Sequence, residues 1–260
     1  MYKGMKMVTQ FNDINIEDIK TIAKEAGDVI MEIYNKDFDV EYKEDDSPLT
    51  QADIKSNELI CSKLNELYPD IPLMSEENKE VEYKTRKDWE YYFCIDPIDG
   101  TKEFVKKNGE FTVNIALIHK NRPVLGVVYA PALDDMYWAK ENEGAFKNNQ
   151  KLPLKINANP KGKLSVVASK SHLSKETQEF IDGLDAKTVE QVSKGSSLKL
   201  CMVAEGVADI YPRLAPTMEW DTAAADAIVR ESSKMTYEFE HETPMMYNKE
   251  NLLNPWFVVK

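Results

Sequence analysis

Cys94-Ile95-Asp96-Pro97-Ile98-Asp99-Gly100-Thr101-Lys102-Glu103-Phe104 is the stretch from which the rest of the chain is best read. The aromatic and apolar run before it, Trp89 to Ile95, predicts a buried strand. Two carboxylates then stand three apart at the strand's end, with Pro97 between them. Pro97 fixes its own φ and turns Asp96 away from helix. Gly100 permits a sharp turn. Together these features place two carboxylates and a run of backbone N–H groups at one point. Carboxylate oxygens suit hard cations such as Mg²⁺, and N–H groups at a helix start suit a phosphate. The pairing points to metal-assisted phosphate chemistry. The plain alternative is an ordinary Asp/Pro/Gly turn.

Upstream, Ser75-Glu76-Glu77 ends a short apolar piece, Leu73-Met74, so Glu76 can point into a site, although acidic pairs are usually solvated. Lys79 to Asp88 is polar and reads as a loop. Farther back, Thr50 and Asp53 form a capping-box-like start to a helix through Ile54, Leu59, Ile60 and Leu64. Asp53 therefore has two readings, a helix-start residue or a carboxylate beside a metal-bound water. Apolar residues at Ile16, Ile19, Ile22, Ala23, Ala26, Ile30 and Ile33 predict an amphipathic helix over 16–34, started by Asn15. Val40 to Tyr42 suits a short strand.

Downstream, Lys102 to Lys107 predicts one or two helical turns. Phe111–Ile118, Val124–Tyr129 and Met136–Ala139 follow as strands of an antiparallel meander. The segment from Asn157 to Lys163, rich in Asn, Pro, Gly and Lys, marks a boundary between a lobe of residues 1–157 and one of 158–260. Past it the pattern becomes strand, helix, strand, as in an α/β unit. Gly195-Ser196-Ser197 leads into an apolar helix, Leu198 to Ala204, and Asp209 to Pro212 reads as a strand. Trp220-Asp221 precedes a strong helix former, Thr222 to Val229, for which Asp221 is the natural N-cap.

The chain has 260 residues, which suits one domain of two lobes. Its formal net charge of −12 opposes binding to a nucleic-acid polymer. A small anionic substrate remains compatible if bound cations and local Lys or Arg reverse the sign. The three cysteines, Cys61, Cys94 and Cys201, are odd in number, lie far apart in apolar surroundings and read as buried free thiols, which favours a reducing compartment. Neither a secretory leader nor a run of the ~20 apolar residues that a membrane span needs is present, so a cytoplasmic location is expected. His119, His172 and His241 have no zinc spacing, and there is no Walker A, G-x-G-x-x-G or G-x-S-x-G.

Hydrolysis of a phosphate ester is well served by divalent ions held about 3.5–4 Å apart by converging carboxylates. The candidates here are Glu76, Asp96, Asp99 and Asp221, with the backbone oxygen of Ile98 placed to join them. Asp96-Pro-Ile-Asp-Gly-Thr101, with Ser75-Glu76-Glu77 upstream and Trp220-Asp221 downstream, resembles the inositol-monophosphatase-like family of Mg²⁺-dependent, lithium-sensitive phosphatases. Thr101-Lys102-Glu103-Phe104, the run from Asn108 to Leu117, and Gly195-Ser-Ser-Leu-Lys199 are similar to its 3′(2′),5′-bisphosphate nucleotidase branch.

That resemblance implies an α+β fold, a five-layered αβαβα sandwich. It implies two or three Mg²⁺ ions held by Glu76, Asp96, Asp99, Asp221 and the Ile98 carbonyl. Asp53 and Thr101 would orient and deprotonate the attacking water, and the N–H groups of Gly100 and Thr101 would bind the scissile phosphate. Ser196, Lys199 and Arg213 would contact the remaining phosphate and ribose, and His172 would lie against the adenine. The implied reaction removes the 3′-phosphate of adenosine 3′,5′-bisphosphate, leaving AMP and phosphate, a step in sulfur metabolism. An inositol monophosphatase or sugar-bisphosphate phosphatase on the same scaffold is the alternative, and a non-catalytic nucleotide- or metal-binding protein a remote one. The resemblance also leaves open a homodimer and a peripheral association with the inner membrane.

Overall fold

The computed structural model describes residues 13–36, 39–42, 48–155, 162–168, 174–186 and 188–260. Asn157, the expected boundary, and His172 lie outside them. Helix α1 (Ile16–Tyr34) starts as its sequence predicts: the Asn15 side chain accepts the Glu17 N–H at 3.1 Å. Its stripe of Ile16, Ile19, Ile22, Ala23, Ala26 and Ile30 is buried. Two short strands, β1 (Val40–Tyr42) and β2 (Pro48–Thr50), pair antiparallel and lead into α2 (Gln51–Leu67). Tyr68, just past α2, donates its hydroxyl to Asp18 Oδ2 at 2.8 Å and so ties α2 to α1.

Helices α1 and α2 cover one face of a seven-stranded sheet. Its strands follow chain order: β3 (Leu73–Ser75), β4 (Tyr91–Asp99), β5 (Thr112–His119), β6 (Arg122–Ala130), β7 (Asp135–Lys140), β8 (Gly144–Lys147) and β9 (Gln150–Lys151). Only β3 and β4 run parallel. The meander is thus longer than the three strands expected, by β8 and β9. Strand β4 continues through the opening motif. Asp96 pairs with Asn114 and Asp99 with Thr112, so three steps on β4 match two on β5. The extra residue makes a bulge that holds Pro97, which has no N–H to give to a ladder. Gly100 then turns the chain at φ +92° into the short helix α4 (Thr101–Val105).

The polar stretch expected as a loop contains α3 (Tyr83–Arg86), and Arg86 is fully buried. Its guanidinium donates to Asn248 Oδ1 and the Glu250 carbonyl, each at 2.9 Å, and to the Val81 carbonyl at 3.2 Å. A cation that finds three oxygens can be interior, a fact local polarity does not disclose. Cys94 and Cys201 are buried free thiols as expected, whereas Cys61 is only half-buried.

The other face of the large sheet carries α6 (Leu198–Glu205) and α7 (Glu219–Glu231). Contact between α7 and β6 is close: a Cβ on Gly126 would lie 2.1 Å from the Ala224 carbonyl oxygen. Beyond these helices β10 (Lys163–Ala168) and β11 (Thr188–Ser193) pair in parallel, while β12 (Tyr211–Arg213), β14 (Phe257–Val259) and β13 (Thr236–Glu238) form an antiparallel trio. A parallel bridge from Val166 to Ile210 joins the two. Helix α5 (Lys175–Asp182) closes the outside, with Ile181 and Phe180 packed on Val166 and Ala168. The layers run helix, sheet, helix, sheet, helix, the expected five-layered α+β sandwich.

Candidate active site

The Glu76 N–H donates to the Ile95 carbonyl at 3.1 Å, extending the β3–β4 ladder and setting Glu76 beside Asp96. Asp221 arrives from the opposite layer, on the first turn of α7. It is the third helical residue and not the N-cap as predicted; the cap is Met218, whose N–H donates to Asp221 Oδ2 at 2.8 Å. The helix starts three residues early because a carboxylate three places past the cap satisfies the N–H of Met218. Oxygens of Glu76, Asp96 and Asp221 all lie within 4.8 Å of one another.

Burial pushes the Asp96 carboxyl well above the usual carboxylate range, and Glu76, Asp99, Asp221 and Asp53 add to the shift. Asp221 is pushed up to about 8, by burial first and then by Asp99. Arg213 offsets only part of this on Asp221, so the group carries an excess of negative charge. An oxygen-only donor set of this kind fits a hard divalent cation such as Mg²⁺.

Asp99 stands outside this three-residue group. Its Oδ2 accepts from Ser197 Oγ at 2.6 Å and from Asn114 Nδ2 at 3.5 Å. The Ile98 N–H donates to Asp96 Oδ1 at 3.0 Å, and its carbonyl accepts from Thr101 Oγ1 at 3.2 Å. Asp53 takes the helix-start role and also reaches across to the motif. Oδ2 accepts the Thr50 N–H at 2.8 Å and the Thr50 hydroxyl at 2.6 Å, completing the capping box. Oδ1 accepts from Thr101 Oγ1 at 3.1 Å, across from α2 to α4. Burial raises the Asp53 carboxyl, against the lowering effect of the Thr50 hydrogen bonds.

Next to the acidic group is a cleft whose lining includes Asp99, Gly100, Ser196, Lys199, Arg213 and Asp221. Ser196 Oγ and Arg213 Nε are buried there without a hydrogen-bond partner. Buried polar atoms in that condition are uncommon, and a ligand, ion or water can complete them. Lys199 Nζ donates to the Ser196 carbonyl at 2.6 Å, and burial holds its ammonium down to about 8. Ser196 takes φ +46°, a left-handed backbone that non-glycine residues adopt at a cost of about 1–3 kcal/mol. Glu110 holds that turn, accepting the Gly195 N–H at 2.9 Å and pairing with Lys194 at 3.3 Å.

Apart from His172, which lies outside the described residues, the candidate site residues named from the sequence gather at or beside this cleft. Asn114 and Ser197 were not singled out. The available signal was polarity in a strand covered on both faces: Thr112 and Asn114 read as the wet side of an alternation, yet both are buried.

The inositol monophosphatase family model matches residues 13–251. The chain is 44% identical, over 246 residues, to the 3′(2′),5′-bisphosphate nucleotidase CysQ of Salmonella typhimurium, covering 94% of this chain and 98% of that one. The Escherichia coli K12 protein of the same name is 42% identical over 247 residues, with 94% and 98% covered. The crystal structure of CysQ from Bacteroides thetaiotaomicron superposes with a TM-score of 0.85 at 42% identity, covering 98% of each chain.

Proposed function

The chain belongs to the inositol monophosphatase family, a family of metal-dependent phosphatases, and from that premise we propose that it hydrolyses the 3′-phosphate of adenosine 3′,5′-bisphosphate with Mg²⁺. The observation that carries this reading is the contact between two clusters of opposite character. Glu76, Asp96 and Asp221 crowd negative charge on one side of the cleft, while Ser196, Lys199 and Arg213 present buried donors on the other. A substrate with two phosphates suits both: one group at the acidic side through cations, the other on the donors. The names of the 42–44% identical relatives support a nucleotide as that substrate.

Glu76, Asp96, Asp99, Asp221 and the Ile98 carbonyl would hold two or three Mg²⁺. When bound, these ions polarise the phosphate and acidify water. Asp53 Oδ1, reached through Thr101 Oγ1, takes the proton of the attacking water; a carboxyl raised by burial suits a base. The N–H groups of Gly100 and Thr101, at the uncapped start of α4, would orient the scissile phosphate. Lys199 and Arg213 would neutralise the 5′-phosphate, Ser196 would donate to it or to the ribose, and His172 would flank the base. In this reading the 1–157 lobe supplies most metal ligands, and the 158–260 lobe completes the pocket.

The test is Mg²⁺-dependent phosphate release from adenosine 3′,5′-bisphosphate, inositol 1-phosphate and fructose 1,6-bisphosphate at equal concentration. A hundredfold preference for the nucleotide, about 2.7 kcal/mol of transition-state discrimination, is expected. A flat profile, or a preference for inositol phosphate, would leave the metal site standing and remove the substrate assignment.

A further inference from the structure

Ser197 sits immediately ahead of α6, where a serine ordinarily caps the helix. It does not do so: its side chain makes no hydrogen bond to the helix start. The hydroxyl is 1% exposed and turned to the metal side of the fold. It lies 2.6 Å from Asp99 Oδ2 and 2.7 Å from the Asp221 carbonyl oxygen. Asn114 Nδ2 donates to it at 2.8 Å. The other end of that amide, Asn114 Oδ1, accepts from Thr112 Oγ1 at 3.0 Å, and the nearby Asp99 carboxylate, an acceptor only, favours the nitrogen on the Ser197 side.

The arrangement has a definite polarity. A hydroxyl has one proton. Asn114 already donates to Ser197, so the serine proton has two acceptors to choose between, a carboxylate oxygen and a peptide carbonyl. The charged acceptor makes the stronger bond. Ser197 and Asn114 both act on the same oxygen of Asp99, Oδ2. They fix the carboxylate plane while directing neither bond to Oδ1. The same hydroxyl touches the backbone of Asp221, which comes from a different layer of the sandwich.

We propose that Ser197, oriented by Asn114, is a positioning residue that sets the Asp99 carboxylate against Asp221 for divalent-cation binding. This rests on the reading of Asp99 and Asp221 as metal ligands. Hydrogen-bond partners of ligating groups commonly govern metal affinity by about 10–100-fold.

The experiment is a Mg²⁺ titration of thermal stability without substrate, since a ligand that binds only the folded state raises Tm. Ser197→Ala should move the Mg²⁺ midpoint up by about 10–100-fold, with Tm in EDTA within a few degrees of the parent. Ser197→Thr, which keeps the hydroxyl, should recover most of the shift. A Ser197→Ala protein that titrates like the parent overturns the proposal. So does one that loses stability in EDTA while its Mg²⁺ midpoint stays put. If Ser197→Ala does not fold, Ser197→Cys, similar in size and a weaker donor, takes its place, and a parental midpoint there overturns the proposal equally. Asp99→Asn separates the two readings. If its midpoint shifts and that of Ser197→Ala does not, only the role of Ser197 fails. If neither shifts, the assignment of Asp99 as a ligand fails and takes this proposal with it.

Discussion

Helix α7 carries two carboxylates on its first turn, two residues apart, Glu219 fully buried and Asp221 half-buried at the cleft, and they live in different surroundings. Glu219 is saturated: it accepts from Lys249 Nζ at 2.6 Å, from the Lys249 N–H at 3.0 Å and from the Asn248 N–H at 2.8 Å. Asp221 faces Glu76 and Asp96, and burial with Asp99 pushes it up to about 8. The first carboxylate is matched by the protein itself, so its work is to hold the 246–250 segment on α7. The second has three carboxylates near it and only a weak answer from Arg213, as a site completed by a cation would have. Position on the first turn is common to both; what distinguishes scaffold from site is how fully the charge is answered from within.

Four measurements would break or sharpen that contrast. Asp221→Asn should lower kcat/KM by about a thousandfold, roughly 4 kcal/mol, while Tm in EDTA holds or rises because a like-charge contact is gone. A fall in Tm with activity kept would invert the assignment. Glu219→Gln should do the reverse. It strands Lys249 without its carboxylate and should cost about 3 kcal/mol of stability in urea unfolding. The surviving folded enzyme should keep kcat/KM within about tenfold of the parent.

On the donor side of the cleft, Lys199→Ala should raise KM for adenosine 3′,5′-bisphosphate by about 30-fold and for adenosine 3′-monophosphate by less than about threefold. Equal effects would remove Lys199 from the second phosphate site. The smallest effect is in pH. Burial lowers the Lys199 ammonium to about 8, so it is charged below that pH and neutral above it in the free enzyme. KM for the bisphosphate should therefore climb by up to about tenfold from pH 7 to 9, with little change for the 3′-monophosphate. A bisphosphate KM independent of pH over that range would show that this lysine is not what the second phosphate meets.

Much of this geometry was legible in the residues. The Ile/Ala stripe of α1, the Thr50–Asp53 box and the Asp96–Gly100 turn are local patterns, and local patterns survive folding when nothing contradicts them. The acidic group was legible too, because carboxylates at the ends of buried elements have few other reasons to be there. What stayed hidden depends on partners remote in sequence. Arg86 looks like a loop cation until Asn248 and Glu250 meet it. Asn114 looks solvent-facing until α6 and α7 cover β5 from the other side. The misplaced start of α7 has a smaller cause. Asp221 was expected to cap with its own backbone outside the helix, but its side chain reaches back to the Met218 N–H from inside the first turn. The bulge at Pro97 brings Asp99 onto the same face of the sheet as Asp96, although the two are three residues apart, and whether one strand gains a residue on its neighbour is decided by register, not by composition.

The contact at Gly126 works as a caliper stop. With the Ala224 carbonyl lying where a side chain would begin, α7 rests on the sheet backbone to backbone, without a cushion of side chains that could compress or rearrange. The gap between Asp221 on that helix and Asp96 on the sheet is therefore gauged by hard-sphere contact at a distance from both. Mg²⁺ demands near-ideal octahedral spacing, while larger cations accept looser shells. If Asp221 and Asp96 share a cation, as proposed, a residue with no polar side chain would thus help set which metals fit between them.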